Sequence, residues 1–261
     1  LVTSFNIDMI GLLARWFKDR MDSVGIRSYT RQSPAAGYIE FSGVGTGSDR
    51  VVFSNWDKAP TRLAGLPHES VTSYPGWLRE AGFRTEELLA TEEFRSIGSG
   101  NVAADPEFQL KEYQRVVYGL KATTKEKYLA VERRGRGQRL GPVQRALVWS
   151  VIESAPRWTY THRRVCLLEE VQGGRVRSKF TDVFVDEAQD FLPADIECCY
   201  ALRDGDNPVF MVVDQTQALH IGSSYQSPSS PPGSNWLTHE LHGSYRLPVT
   251  IANCVRSLGQ S

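Results

Sequence analysis

The stretch TDVFVDEAQDF, residues 181–191, constrains the fold more than any other part of the chain. Val183, Phe184 and Val185 form an apolar β-forming run that ends abruptly on two adjacent carboxylates, Asp186 and Glu187. An apolar run without alternation suits a strand buried on both faces, as in a parallel sheet with helices on either side. In open α/β sheets, ligands bind beyond the carboxyl ends of the strands, which is where these two acids would sit. The run NPVFMVVDQTQ, residues 207–217, repeats the pattern and ends on Asp214. The expectation is therefore an α/β fold with at least two strand tips at one crevice.

The rest of the chain fits that frame at its two ends. LVTSF reads as a strand, Asn6 as a helix cap, and Met9, Ile10, Leu12, Leu13, Trp16 and Phe17 follow with helical spacing. Residues 28–75 read as loops with minor strands at GYIEF and RVVF. Residues 76–130 read as helical, and an amphipathic helix runs through Val143, Leu147 and Val151. RRVCLLEEV is open between helix and strand, whereas PADIECCYALRD reads as a helix with Pro193 in its first turn. GSSYQSPSSPPGSN is a turn-rich loop, followed by a short strand and a helix. The expected organisation is an α/β start over 1–27, a mainly helical insertion over 28–162, a return to α/β over 163–235, and a short strand and helix over 236–261, which the resemblance given below implies to be the beginning of a further domain. The chain opens on Leu1 inside a strand, so a fragment of a longer protein is expected.

Charge and cysteines set further bounds. Lys+Arg and Asp+Glu both number 30, so any basic surface must be local. One local cluster comprises Lys121, Lys125, Lys127, Arg133, Arg134, Arg136, Arg139 and Arg145. Neutralising a nucleic-acid backbone is one use for it, and a solvated helical face is the other. Trp149, Trp158, Tyr160 and Tyr128 read as core; Tyr225 and Trp236 flank the turn-rich loop. The four cysteines form no CxxC pair and the five histidines show no metal-site spacing, which makes a reducing, cytoplasmic setting the default. No apolar run reaches membrane-spanning length, and there is no signal peptide.

VFVDEAQDF resembles motif II, the Walker B element, of the UvrD/Rep-type superfamily 1A DNA helicases. VVDQTQAL resembles their motif III, LHGSYRLPVTIANCV their motif IV, and LVTSFNIDMIGLL their motif Ia, all in the family's order. The resemblance implies an incomplete RecA-like P-loop NTPase sheet with a largely helical inserted subdomain. It also implies ATP and Mg²⁺ as cofactors and single-stranded or partly duplex DNA as partner. Asp186 would hold Mg²⁺ and Glu187 would be the base for the attacking water. Gln217, with Asp214 and Gln215, would link the γ-phosphate to the DNA track. Tyr245 would stack on adenine and Arg246 would reach the γ-phosphate, a task suited to a planar guanidinium. Thr3, Ser4, Phe5 and Asn6 would lie along single-stranded DNA, with Arg133, Arg134, Arg136 and Arg139 on its backbone.

The chain departs from the family pattern in three places. Val213 precedes Asp214 where the family has Gly, TSFN differs in order from Thr-Phe-Thr-Asn, and no GxxxxGK[ST] occurs. GVGTGSDR, residues 43–50, has glycines but no Lys, lies after the motif Ia-like segment, and reads as a turn. The chain alone is thus expected to hydrolyse ATP poorly or not at all. Two other functions stay open: a catalytically inactive DNA- or partner-binding module, and a Mg²⁺-dependent nuclease using Asp182, Asp186, Glu187 and Asp190. The nuclease would leave QTQ and SYRLP without a task.

Overall fold

The computed structural model of the 261-residue chain describes residues 1–26, 29–35, 37–44, 49–63, 66, 72–133, 138–154, 159–176, 179–213 and 237. Among the described residues it is an α/β protein built on one mixed six-stranded sheet. The strands are β1 (Val2–Ser4), β2 (Thr30–Ala35), β3 (Tyr38–Val44), β4 (Asp49–Asn55), β5 (Val183–Val185) and β6 (Val209–Met211). Their order is β2-β3-β4-β1-β5-β6. The four strands β4, β1, β5 and β6 run parallel, and β2 and β3 extend β4 as antiparallel hairpins.

GYIEF and RVVF prove to be more than minor strands. They lie in β3 and β4, each seven residues long, and β4 pairs directly with β1. The expected insertion over 28–162 thus begins with strands that share the core sheet. The glycine-rich run ends β3 and begins β4, with 45–48 outside the described residues.

Alternating side chains on these strands feed two cores. Phe53 faces α1 (Ile7–Ser23) and packs with Ile10, Ala14, Met21, Ile39 and Phe41. Val52, one residue away, joins the larger core on the opposite face, with Val183, Val185 and the helices that follow β4 in the chain. Those helices are α2 (Ala59–Leu63), α3 (Tyr74–Leu89), α4 (Pro106–Glu112), α5 (Lys125–Ala130), α6 (Pro142–Ser154), α7 (Tyr160–Gln172) and α8 (Pro193–Ala201). A π-helical segment, Tyr113–Tyr118, continues α4. Thr159 caps α7 by accepting the His162 N–H, so RRVCLLEEV is a helix. None of the described helices is long and apolar enough to cross a membrane.

One expectation is corrected on the sheet itself. β5 is not buried on both faces: Phe184 is 43% exposed and stacks on Phe210 of β6 with ring centroids 4.8 Å apart. Among the described residues, α1 packs against β1, β3 and β4, leaving this face of β5 and β6 open.

Candidate functional site

Parallel pairing brings the carboxyl ends of β4, β1, β5 and β6 to one end of the sheet. Backbone hydrogen bonds stitch the tips together. The Asp186 N–H donates to Thr3 O at 2.9 Å, Val212 N–H to Val185 O at 2.9 Å, Ala188 N–H to Val212 O at 2.9 Å, and Trp56 N–H to Ser4 O at 2.9 Å. Asp186 and Glu187 therefore leave β5 between the tips of β1 and β6, at the place the sequence indicated.

Glu187 adopts a left-handed backbone, with φ 53° and ψ 45°. For a residue with a Cβ such a conformation costs about 1–3 kcal/mol and persists only where the surroundings impose it. Here the Asp190 N–H donates to Glu187 O, closing a 3₁₀ turn over Ala188–Asp190. The half-buried Glu187 carboxylate accepts the Gln189 amide through Oε2 at 2.6 Å. Asp186 is likewise half-buried. Two adjacent hard oxygen donors at a strand tip fit Mg²⁺, which takes one or two carboxylates and fills its remaining positions with water and phosphate.

The motif Ia-like residues divide by burial. Thr3 and Ser4 are fully buried, so their side chains face the interior and not a surface along which a DNA strand could lie. Asn6 is the N-cap of α1, accepting the Asp8 and Met9 N–H groups. Phe5 is half-buried, with its ring 4.6 Å from the Phe191 ring and 4.6 Å from the Arg164 guanidinium carbon.

The basic cluster is also corrected in part. The Arg133 side chain is 4% exposed and bidentate on Glu112, so it neutralises a buried carboxylate and not a phosphate. Arg145 donates to the carbonyls of Tyr128, Leu129 and Val131, at the C-terminal end of α5. Lys121 pairs with Glu197. Arg139, Lys125 and Lys127 are exposed. Arg134, Arg136, Asp214, Gln215, Gln217, Tyr245 and Arg246 lie outside the described residues, as do Trp158, Tyr225 and Trp236. Tyr128 and Trp149 are core residues in mutual contact at 5.6 Å.

The acidic quartet of the nuclease alternative does not gather. Asp182 precedes β5 and Asp186 follows it, which separates them by about 13 Å along an extended strand. Among the described residues, no group of three or more His, Cys, Asp and Glu is placed to hold a metal ion.

Several residues at the tips escaped the sequence reading. Asn55 donates through Nδ2 to Phe5 O at 2.6 Å and accepts the Asp57 N–H at 3.1 Å. Asp57 pairs with Arg164. Trp56 and Tyr118 both donate to Asp195, which is fully buried. Burial pushes the Asp195 carboxyl above the usual carboxylate range, against the opposing pull of Arg164 and of its hydrogen-bond donors. One signal was available: RVVFSNWD is an apolar strand ending on polar residues, the same pattern as VFVDE. No protein-family model, curated protein or solved structure matches the chain.

Proposed function

We propose that these strand tips form the water-activating half of an ATP site in a DNA-dependent ATPase of the superfamily 1A helicase type. The observation that carries this reading is the strained Glu187 turn, held between β1 and β6 with its carboxylate tethered by Gln189. Strain of this kind clusters at functional sites. Asp186 would hold Mg²⁺, whose positive charge would offset the negative charge of the nucleotide phosphates. Glu187 orients the attacking water and accepts its proton. Gln217, Asp214 and Gln215 connect the γ-phosphate to the DNA track, Tyr245 stacks on adenine, and Arg246 holds the γ-phosphate. Single-stranded DNA runs past Phe5 and Asn6, with Arg134, Arg136 and Arg139 on its phosphates. The 261 residues hold no GxxxxGK[ST], so this reading needs a separate phosphate-holding element; among the described residues the Phe184–Phe210 face of β5 and β6 is open. Free Cys166, Cys198 and Cys199 suit a cytoplasmic setting.

The test is the ATPase of the protein at its natural length, assayed with and without single-stranded DNA. The expected result is hydrolysis stimulated by DNA, with Glu187→Gln lowering kcat by about 10²–10⁴-fold, the range for a general base. No stimulation, or an unchanged Glu187→Gln variant, overturns the proposal. The lack of GxxxxGK[ST] in the 261 residues favours a second reading, a DNA- or partner-binding module without catalysis. DNA binding without ATPase in the same assay would select it.

A further inference from the structure

Asp195 Oδ1 accepts the Trp56 indole N–H at 2.5 Å and the Tyr118 hydroxyl at 2.6 Å, and Oδ2 accepts the Leu192 N–H at 2.7 Å. These donors come from three separate parts of the fold. Trp56 follows the tip of β4, Leu192 ends the loop that carries Asp186 and Glu187, and Tyr118 closes the π segment of the helical region. The Arg164 guanidinium pairs with Asp57 and lies 4.6 Å from the Phe5 ring and 6.0 Å from the Tyr118 ring. The β1 tip thereby joins the same cluster. We infer that Asp195 is a positioning residue that sets the candidate site as one unit, tying the β4 tip, the Asp186–Glu187 turn and the helical region together through a single carboxylate.

The π winding is what lets the helical region reach. In an α-helix, residues five apart point about 140° from each other. A π turn closes over five residues, as the Gly119 N–H to Gln114 O bond of 3.1 Å does here. Tyr113 and Tyr118 therefore project to one side. Tyr113 OH meets His162 Nδ1 of α7 at 3.0 Å, while Tyr118 meets Asp195 of α8. Rewinding the segment as α-helix would turn Tyr118 away from the carboxylate and unfasten the helical region from the turn. A buried hub with donors from one element would only stiffen that element, whereas donors from three make their loops loosen together.

The test uses Asp195→Asn in the 261-residue chain. Asn keeps the shape but cannot accept through both terminal atoms. Hydrogen exchange at Trp56, Asp57, Leu192 and residues 186–190 should accelerate together by roughly ten- to a hundredfold, the equivalent of one lost charge-assisted hydrogen bond. Amides of α3 and α6 should hold. The Trp56 indole N–H resonance, assigned with Trp56→Phe, should move upfield. Acceleration confined to Leu192 and the first turn of α8 would reduce Asp195 to a helix cap and overturn the inference. If Asp195→Asn does not fold, Tyr118→Phe decides: faster exchange in 186–192 supports the inference and unchanged exchange there overturns it. A kinetic arm rests on the proposed ATPase, where Tyr118→Phe should lower kcat at unchanged KM for ATP, and an unchanged kcat would count against positioning. An inactive parent protein would sink the proposed function alone, because the exchange arm needs no activity.

Discussion

Replacing Arg133 with Met should destabilise the chain severely and leave any single-stranded DNA affinity unaltered. Arg133 donates Nε to Glu112 Oε2 at 2.8 Å and Nη2 to Oε1 at 2.7 Å, and Nη1 to the Gln138 carbonyl at 2.9 Å. Tyr128 adds its hydroxyl to Glu112 Oε2 at 3.1 Å. With the two side chains 4% and 0% exposed, solvent screens little of the interaction. Removing the cation leaves a buried carboxylate without its counter-charge, which costs about 3–5 kcal/mol. At about 2–4 °C per kcal/mol for a chain of this size, the unfolding midpoint should fall by roughly 6–20 °C. The assay is thermal and urea unfolding followed by circular dichroism, on Arg133→Met, Glu112→Gln and the double variant. Glu112→Gln/Arg133→Met should recover much of the loss, since a neutral amide still serves Tyr128 and leaves no buried charge. A stability change below about 0.5 kcal/mol for Arg133→Met, the scale of an ordinary surface substitution, would refute the buried-pair reasoning. A fall of about 0.7 in the salt slope of single-stranded DNA binding would show that Arg133 contacts a phosphate after all.

Two further outcomes follow from other parts of the structure. Glu187→Gly should stabilise the chain by about 1 kcal/mol in urea unfolding, because glycine adopts φ 53° without strain, while abolishing the proposed ATPase. A destabilised variant would refute the assigned strain. Burial, followed by the charges of Glu169 and Glu170, pushes the Cys166 thiol from its ordinary 9.0 up to about 11. Native alkylation at pH 8 should thus run about a hundredfold slower than in urea, by peptide mass spectrometry, since the thiolate is the nucleophile. The linked stability is fully present below the unfolded value and is lost as pH rises towards about 11, because the unfolded chain releases the proton first.

Legibility followed locality. LVTSFN gave away β1 and its Asn6 cap, and PADIECCYA gave away α8, because strand runs, caps and first-turn prolines act within a few residues. VFVDEA located the turn but not its left-handed Glu187, which depends on bonds to β1 and β6. Arg133 was misjudged for the same physical reason. Its partner lies 21 residues away, and a cluster of positive charges carries no record of which carboxylate faces it. The π segment has no composition signal. What accompanies it is tertiary: Tyr113 and Tyr118 both find partners on neighbouring helices.

The location of the candidate site also follows from topology without reference to any motif. The chain leaves β1 by α1 on one face of the sheet and returns to β4 on one side of it. It then passes through α2–α7, whose apolar side chains belong to the core on the opposite face, before entering β5 on the other side of β1. The connections diverge at β1, and in open sheets the crevice that takes a ligand lies where they diverge. Phe5 at the β1 tip and Asp186 at the β5 tip flank that point. Trp56 and Asp57 at the β4 tip extend it, and Asp195 and Arg164 come from the helices behind. The acidic pair therefore stands where the sheet would place a ligand whatever its sequence, and the proposed metal and phosphate chemistry asks for carboxylates at that same position.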